Sequence, residues 1–498
     1  MKNSFEQPSH AQGGFAVNPV TRVSFHTKDA VLQKLFDTAC HKCLNNLAFF
    51  GSDQVLVEGI GNKKIWLETQ SMGGEMYAKH NLTVAMNNQL LFMRHQRADG
   101  RLPGSIQGFP DGTLEAQFNK FQGFCFPWPA LNMYYWLGKA RSYLDALADC
   151  LERFDDYLWR VRDSGGDGLL ESWYVYDTGE DHVVRYGDAP VYCAEATPPE
   201  GSTVVPMTSM DVMSFSYACR DTLGDISRIR RDGQETQWRQ TAEKVASAIR
   251  ERLWDGRRGA CFDRDRHGGV IDVLCHNSLR CMYWGSFSQS MADRFVREHL
   301  LNPDEFWTPL PLPSVAANDP AFRNAVENNW SGQCEGLTYQ RAILALERYG
   351  YEELVTALGK KLLRAMAAGG YVFTQQFDPF TGAPSCVSPV TKEPLPPDSD
   401  EPFQDSYRPT LLAVLEYIAH IWGVTMVRGQ MWFSRGGGAP YVYEQQWSIA
   451  NYHIESDGKT ARILIDGQEC FRRPCGVRML PPGREIFCLC VKLNRARQ

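Results

Sequence analysis

The sequence has no long apolar segment. No hydrophobic run approaches the ~18 residues that a membrane-spanning helix needs, and the mean hydropathy is −0.36. The segment Met1–Asn18 is polar and lacks the apolar stretch of a secretory signal. These absences predict no membrane partner and a cytoplasmic location.

The sequence also lacks an excess of positive charge. Its 52 Lys and Arg residues are outnumbered by 58 Asp and Glu residues, which gives a formal net charge of −6. Nucleic-acid-binding proteins usually carry a basic surface. The composition therefore predicts no nucleic-acid partner.

Several catalytic motifs are missing. The sequence contains no Walker A loop, no GxGxxG after a strand, no HExxH and no GxSxG, and its 11 histidines form no obvious ligand cluster. Metal, nucleotide and serine-hydrolase chemistry are therefore not favoured.

Disulfide bonds are not expected either. The 15 cysteines are odd in number and scattered through a chain large enough to fold without cross-links. The one CxxC pair, Cys40 and Cys43, lies on the apolar stripe of a predicted helix over Asp29–Phe49. We interpret the cysteines as reduced thiols and this pair as part of the core.

Helical periodicity dominates residues 26–423. Apolar residues recur at spacings of three and four in several long segments, and these are Tyr77–Arg97, Tyr134–Arg162, Asp211–Arg231, Glu235–Leu253, Gly336–Tyr349, Glu352–Met366 and Pro409–Trp422. Long loops rich in aromatic residues, Gly and Pro separate them, which is typical of functional loops. The pattern predicts an all-α domain of the α/α-barrel type with its site at one mouth.

The two ends of the chain differ from this domain. Residues 1–25 are predicted to be a tail, and residues 424–498 a small β domain, because polar and apolar residues alternate there. Ala461–Ile465 and Arg484–Leu489 are its clearest predicted strands, and Asp457–Gly458 and Asp466–Gly467 are predicted turns.

The loops combine aromatic residues with carboxylates. Trp128, Trp173 and Trp330 lie in or beside them, and six Asp or Glu residues fall within residues 167–188. Flat aromatic faces stack on sugars, and two carboxyl groups flanking a glycosidic bond supply a proton and activate water. The combination indicates a carbohydrate site.

At this point the chain resembles a known family. Five motifs occur in the order found in glycoside hydrolase family 63 and its mannosylglycerate-hydrolase-like and trehalase-like relatives. They are Asp99–Pro103, Asp177–Arg185, Leu253–Asp265, Phe306–Tyr339 and Phe377–Gly382. The resemblance implies an (α/α)6 barrel that hydrolyses a small α-linked glycoside with inversion, without a metal or organic cofactor.

The resemblance also assigns roles. Asp181 matches the general acid and Arg185 the arginine near it. The family-63 base position holds Gln375, and a neutral amide cannot take a proton from water. Glu401, in a Glu-x-Phe-x-x-Ser segment similar to the trehalase base motif, is the predicted base, with Glu335 as the reserve carboxylate.

The remaining predicted sugar contacts are aromatic or polar. Trp128, Trp173 and Trp330 are expected to wall the sugar, and Glu75 aligns loosely with a substrate-binding segment of the family. Gln375, Glu335 and Arg185 complete the predicted substrate-binding set. The sequence does not indicate an oligomeric state.

Two alternatives stay open. One is a glycan-binding protein of the same fold that has lost its base, as Gln375 suggests. The other is a phosphorylase or a sugar epimerase on an α/α barrel, for which His95, His182 and His276 are candidate acid–base residues. Retained hydrolysis of a glycoside would exclude the first.

Overall fold

The computed structural model describes residues 20–480 except 60–61, 193–195, 328, 389, 392, 397–398 and 400–403. Two predicted features, the base Glu401 and the strand Arg484–Leu489, lie outside the described residues. None of the helices in the described part of the chain is long and apolar enough to span a membrane.

The described residues form twelve α-helices. They are α1 (Ala30–Asn45), α2 (Leu67–Tyr77), α3 (Leu82–Arg94), α4 (Pro127–Trp136), α5 (Arg141–Val161), α6 (Met210–Arg230), α7 (Glu235–Arg252), α8 (Asn277–Trp284), α9 (Gln289–Phe295), α10 (Gly336–Glu347), α11 (Glu352–Ala368) and α12 (Arg408–Trp422). The mostly helical fold confirms the prediction from periodicity.

The even-numbered helices pack on one another in a closed order. Contacts join α2 to α4, α4 to α6, α6 to α8, α8 to α10 and α10 to α12, and α12 returns to α2. Helices α3, α7 and α11 pack outside this ring, against α2, α6 and α12. The ring helices are buried all round: every residue of α8 is buried, whereas α7 buries only Ala242, Val245, Ala246 and Ile249.

Nineteen strands accompany the helices in the described ranges. They are β1 (Thr21–Thr27), β2 (Leu47–Phe50), β3 (Asp53–Leu56), β4 (Lys64–Trp66), β5 (Ser105–Gly108), β6 (Leu114–Gln117), β7 (Glu171–Ser172), β8 (Met207–Thr208), β9 (Trp254–Asp255), β10 (Ala260–Cys261), β11 (Cys334–Glu335), β12 (Gln376–Phe377), β13 (Val424–Val427), β14 (Gln430–Arg435), β15 (Tyr441–Trp447), β16 (Ala450–Ser456), β17 (Thr460–Ile465), β18 (Gln468–Pro474) and β19 (Gly476–Leu480). Those before β13 are short and, apart from β1, pair locally around the helices.

The C-terminal strands form two antiparallel sheets, as the alternating pattern predicts. One has the order β1-β15-β16-β17-β18 and the other β13-β14-β19. Asp457–Gly458 joins β16 to β17, and Asp466–Gly467 joins β17 to β18 with positive φ at both residues. Such turns match the twist of a hairpin.

The N-terminal segment takes part in this sheet. Thr21–Thr27 pairs antiparallel with Tyr441–Trp447, more than 400 residues later. The boundary predicted at residue 25 therefore falls inside a strand. Sequence periodicity could not show this pairing, because a single edge strand carries no mark of its distant partner.

Candidate active site

A cavity of about 490 Å³ opens where the ring helices begin. We call it the first cavity. Glu68 in the first turn of α2, Leu337 in that of α10 and Tyr407, which precedes α12, all line it. Its charged and aromatic lining residues are Glu58, Lys63, Lys64, Trp66, Glu68, Lys120, Tyr176, Asp181, Tyr192, Trp330 and Tyr407.

Asp181 enters this cavity from a loop between two short 3₁₀ turns, Val175–Asp177 and Val184–Tyr186. The backbone N–H of Trp330 donates to the carbonyl of Asp181 at 2.9 Å. Gln122 Nε2 approaches the carboxylate Oδ1 at 3.4 Å. The half-buried carboxyl group is thus held at the cavity wall by contacts from two other loops.

A buried ion network fixes the residue before it. Arg185 Nη2 donates to Glu180 Oε2 and, at 2.8 Å, to Asp211 Oδ2, and Arg185 also pairs with Asp263. Arg280 lies 3.1 Å from Glu180 and 2.9 Å from Asp211. All five side chains are at most 3% exposed. The peptide that carries Asp181 is therefore anchored by two shared guanidinium groups.

The charges in this network shift its titration. Burial raises the pKa of Asp263 to about 6, although Arg185 opposes the shift. Burial also acts to raise the pKa of Glu180, but Arg280 and Arg185 together hold it well below its usual range. Glu180 therefore remains ionised, and its charge is neutralised locally.

Lys120 places a cation beside the carboxylates of the cavity. Its Nζ lies 5.5 Å from the ring centre of Tyr176 and 5.2 Å from that of Tyr192. Burial lowers the pKa of Lys120 to about 8, while Asp181 and Glu58 act in the opposite direction. The amine is thus close to neutrality at mildly alkaline pH.

Two further carboxyl groups have raised pKa values. Burial raises the pKa of Glu58, with a contribution from nearby Asp181, while Arg408 lowers it. Burial raises the pKa of Glu335 well above its usual range. Glu335 is fully buried, and its Oε1 accepts from Gln376 Nε2 at 2.7 Å.

The structure brings some of the predicted site residues together. Asp181, Trp330 and Gln375 line the first cavity. Glu335 lies behind it, at the start of α10, where the backbone N–H of Gly336 donates to the carbonyl of Gln375 at 2.9 Å. Arg185 contacts Glu180, the residue before Asp181, and so lies behind the cavity wall.

Other predicted sugar contacts lie elsewhere. Trp173 is fully buried, stacks on Arg162 at 4.2 Å and donates from Nε1 to Glu171 at 2.8 Å. Glu75 points into the ring, where Asn132 and Trp136 donate to its Oε1 at 2.7 and 3.0 Å. Trp128 lines a different cavity. Their separate packing partners keep all three out of the first cavity.

Sequence analysis missed Glu68, Glu58 and Lys120. Glu68 is 2% exposed and pairs with Arg341. Gly179 approaches Glu68 so closely that a Cβ at this glycine would overlap the Glu68 carboxylate. Two features of the sequence could have indicated these residues. One is the Trp66-Leu67-Glu68 segment, and the other is the position of Lys120 within a loop rich in aromatic residues.

The described residues contain no group of three or more His, Cys, Asp or Glu side chains arranged to hold a metal ion.

The fold and the cavity together are of the glycosidase type. A ring of buried helices ends in a cavity that combines carboxylates, aromatic faces and amides, and such side chains bind sugars and move protons.

Comparison with known proteins specifies the family. Residues 75–392 match the model of the mannosylglycerate hydrolase MGH1-like glycoside hydrolase domain. Because this match covers more than half of the sequence, the chain belongs to that family. A mannosylglycerate hydrolase from Rubrobacter radiotolerans is 26% identical over 289 residues, which are 49% of this chain and 64% of that protein. The chain thus spans less than two thirds of this curated relative.

Solved structures share the fold. A glycoside hydrolase family 63 mannosylglycerate hydrolase from Thermus thermophilus, in complex with glucose, superposes with a TM-score of 0.58 at 16% identity, covering 77% of this chain and 99% of that one. Neutral trehalase from Saccharomyces cerevisiae gives 0.53 at 11% identity over 74% of this chain and 73% of its own. The fold is therefore like that of six-hairpin glycosidases.

Proposed function

We propose that this protein is an inverting glycoside hydrolase that acts on a small α-linked glycoside. The observation that carries the proposal is the placement of Asp181, together with Trp330 and Gln375, in the first cavity of a chain from a glycoside hydrolase family. The closed order of the even-numbered helices supports an (α/α)6 barrel as the scaffold.

Asp181 is the proposed general acid. It would protonate the glycosidic oxygen as the bond to the anomeric carbon breaks, so that the aglycone leaves as a neutral alcohol. Glu180 next to it is buried and ionised, but Arg185 and Arg280 neutralise that charge. These arginines fix the position of Asp181 from behind without contacting the sugar.

Glu401 is the proposed general base. It would take a proton from the water that attacks the anomeric carbon from the opposite face, which inverts the configuration. Gln404, three residues later in the chain, lines the first cavity, and this supports the assignment. Glu335 is a weaker base candidate, because it is fully buried behind the first cavity and its Oε1 already accepts a hydrogen bond from Gln376.

The lining also favours a substrate with an acidic aglycone. Three lysines line the first cavity beside its carboxylates, and they would bind an acidic aglycone, which a neutral glycoside lacks; they are Lys63, Lys64 and Lys120. Trp330 and Trp66 would bind sugar faces, and Gln375 would donate to hydroxyl groups rather than activate water. A glycosyl-glycerate, the kind of substrate for which the similar mannosylglycerate hydrolases are named, carries the required carboxylate.

The test is hydrolysis of a panel of α-glycosides of glycerate, and of matched neutral glycosides, with the anomer released followed by NMR. Asp181→Asn is expected to lower turnover by about 10²- to 10⁴-fold for a poor leaving group, the usual size of general acid catalysis. The loss should shrink with an activated leaving group that needs no proton. Retention of configuration would contradict the mechanism.

Base identity needs a separate comparison. Glu401→Gln should abolish turnover with both kinds of leaving group, whereas Glu335→Gln should leave most of it. Gln375→Glu should harm activity or leave it unchanged. If Gln375→Glu instead switches on hydrolysis in an otherwise inactive protein, Glu401 is not the base and the natural chain is a glycan-binding protein.

A further inference from the structure

A second cavity opens at the opposite end of the ring. It has a volume of about 310 Å³ and lies where α8 and α10 end and the β13–β14 hairpin covers the ring. Leu337 of α10 lines the first cavity, whereas Arg348 at the end of α10 lines the second. Eleven residues of helix separate them by about 16 Å.

Two indole N–H groups in this cavity have no acceptor. Nε1 of Trp128 and Nε1 of Trp432 are both buried from solvent and find no hydrogen-bond partner among the residues that the structure describes. Buried indole N–H groups usually have hydrogen-bond partners, and leaving such a hydrogen bond unmade costs about 1–3 kcal/mol. Neither N–H has surface open to the cavity, so the two tryptophans offer a ligand their rings and not these donors.

The charged groups of the cavity balance. Two arginines and two glutamates line it, so the lining carries no formal net charge; they are Arg348, Arg428, Glu347 and Glu352. The Arg348 guanidinium lies 5.7 Å from the ring centre of Trp128, and its Nε likewise finds no acceptor within the described ranges. A strongly charged ligand is therefore not favoured, whereas a ligand rich in both donors and acceptors is.

The wall of the cavity is held rigidly from behind. His420 Nδ1 lies 2.6 Å from Glu347 Oε1, and His420 Nε2 lies 3.4 Å from Glu416. Lys79 Nζ completes this buried row at 2.5 Å from Glu416. Glu347 therefore has a fixed position, which favours recognition of a defined ligand over a surface depression that changes shape.

We propose that the second cavity binds a small neutral saccharide of one or two rings, as a site separate from the first cavity. The indole rings of Trp128 and Trp432 suit the C–H faces of a sugar, and the arginine and glutamate side chains of the lining suit its hydroxyl groups. The volume is at the lower end of the ~300–1,000 Å³ of small-molecule sites.

The experiment uses the full chain carrying Asp181→Asn, so that no substrate is consumed. Crystals are soaked with maltose and with D-mannose, and binding in solution is measured by calorimetry for the same sugars and for D-glucuronate. We expect density in the second cavity and a binding event that glucuronate does not reproduce. Density confined to the first cavity, or binding at crystal concentration only, would overturn the proposal.

Variants assign the binding event to this cavity. Adding Trp432→Ala should weaken it at least tenfold, and Trp432→Phe, which keeps a smaller aromatic ring, should weaken it less. The matched control is Trp307→Ala, another half-buried tryptophan, which packs against Lys361 outside both cavities. Equal effects of Trp432→Ala and Trp307→Ala would count against the site, with thermal unfolding showing whether each variant is folded.

Discussion

Buried carboxylates at the two ends of the ring have different partners, which are arginines where the helices begin and His420 and Lys79 where they end. Asp211 and Asn277 lie in the first turns of α6 and α8, within the network around Glu180, and Glu68 opens α2 beside it. Helix N-termini carry partial positive charge and stabilise anions. Asp211 and Glu68 thus lie where helix N-termini and the neighbouring arginines stabilise negative charge.

At the C-terminal end, the buried carboxylates Glu347 and Glu416 contact His420 and Lys79. The second cavity in front of them is lined by two arginines, two glutamates and two tryptophans. The contrast teaches that the two ends of one ring of helices offer different chemistry, because one end presents helix N-termini and the other presents helix C-termini. The following tests separate the two ends, from the largest expected effect to the smallest.

The largest difference in stability between the two ends should come from replacing one arginine at each end. Arg185→Met leaves Glu180, Asp211 and Asp263 buried around one fewer cation, and breaking such a network costs about 3–5 kcal/mol. Arg348→Met at the second cavity removes an arginine that forms no ion pair with described residues, and should cost less than about 1 kcal/mol. Chemical denaturation measures both, and similar losses would break the comparison.

A pH effect on stability should arise behind the second cavity. Although burial opposes it, Glu347 and Glu416 raise the pKa of His420 to about 9. Because the folded pKa is above the unfolded one, this contribution is complete below about pH 6.5 and is lost as the pH rises to 9. Wild-type unfolding free energy should therefore fall by about 1–3 kcal/mol relative to His420→Gln across that range. Parallel curves for the two proteins would refute it.

Two glycines offer a matched pair. Gly179 and Gly350 have φ of +76° and +81°, so alanine at either position costs about 1–2 kcal/mol. A Cβ at Gly179 would meet Glu68, whereas one at Gly350 has nothing within 4 Å. Gly179→Ala should also lower kcat/KM at least tenfold, and Gly350→Ala should leave it unchanged. An unchanged kcat/KM in Gly179→Ala would mean that Glu68 does not shape the site.

The smallest expected effect is a change in KM as Lys120 loses its charge at the first cavity. Because the pKa of Lys120 is lowered to about 8, the amine loses its charge as the pH rises from 7 to 9. KM for an acidic glycoside should then rise several-fold over that range, while KM for a neutral glycoside stays flat. Lys120→Met should abolish the difference. An equal rise for both substrates would show that Lys120 does not bind the acid.

Part of the fold was accessible from periodicity, and the errors have a physical cause. Helices with one exposed face, such as α5 and α7, show a polar and an apolar side and were predicted. The missed ring helices α2 and α8 have only 11 and 8 residues, so the apolar period has little length over which to repeat, whereas the equally buried but longer α12 was predicted. The predicted segment Tyr134–Arg162 is two helices, because the chain turns at Gly138 and Lys139 with positive φ.

The site residues also divide into those that a local sequence pattern predicted correctly and those that residue type alone misplaced. The motif around Asp181 identified a cavity residue because its local sequence pattern is distinctive, and Trp330 and Gln375 were found in the same way. Trp128 and Trp173 were predicted from residue type alone, and an indole ring packs equally well in a core or in another pocket. Residue type cannot indicate which side of a loop faces a cavity.

By itself, the sequence determined the helical class, the antiparallel C-terminal strands, the family and the placement of Asp181, because each depends on local pattern or on a run of motifs. Only the tertiary structure decided that Glu58, Glu68 and Lys120 face Asp181, that Arg185 and Arg280 share Glu180, and that Trp128 belongs to a second cavity. Those outcomes depend on contacts between residues far apart in the chain, whose burial and charge exist only once the ring of helices has closed.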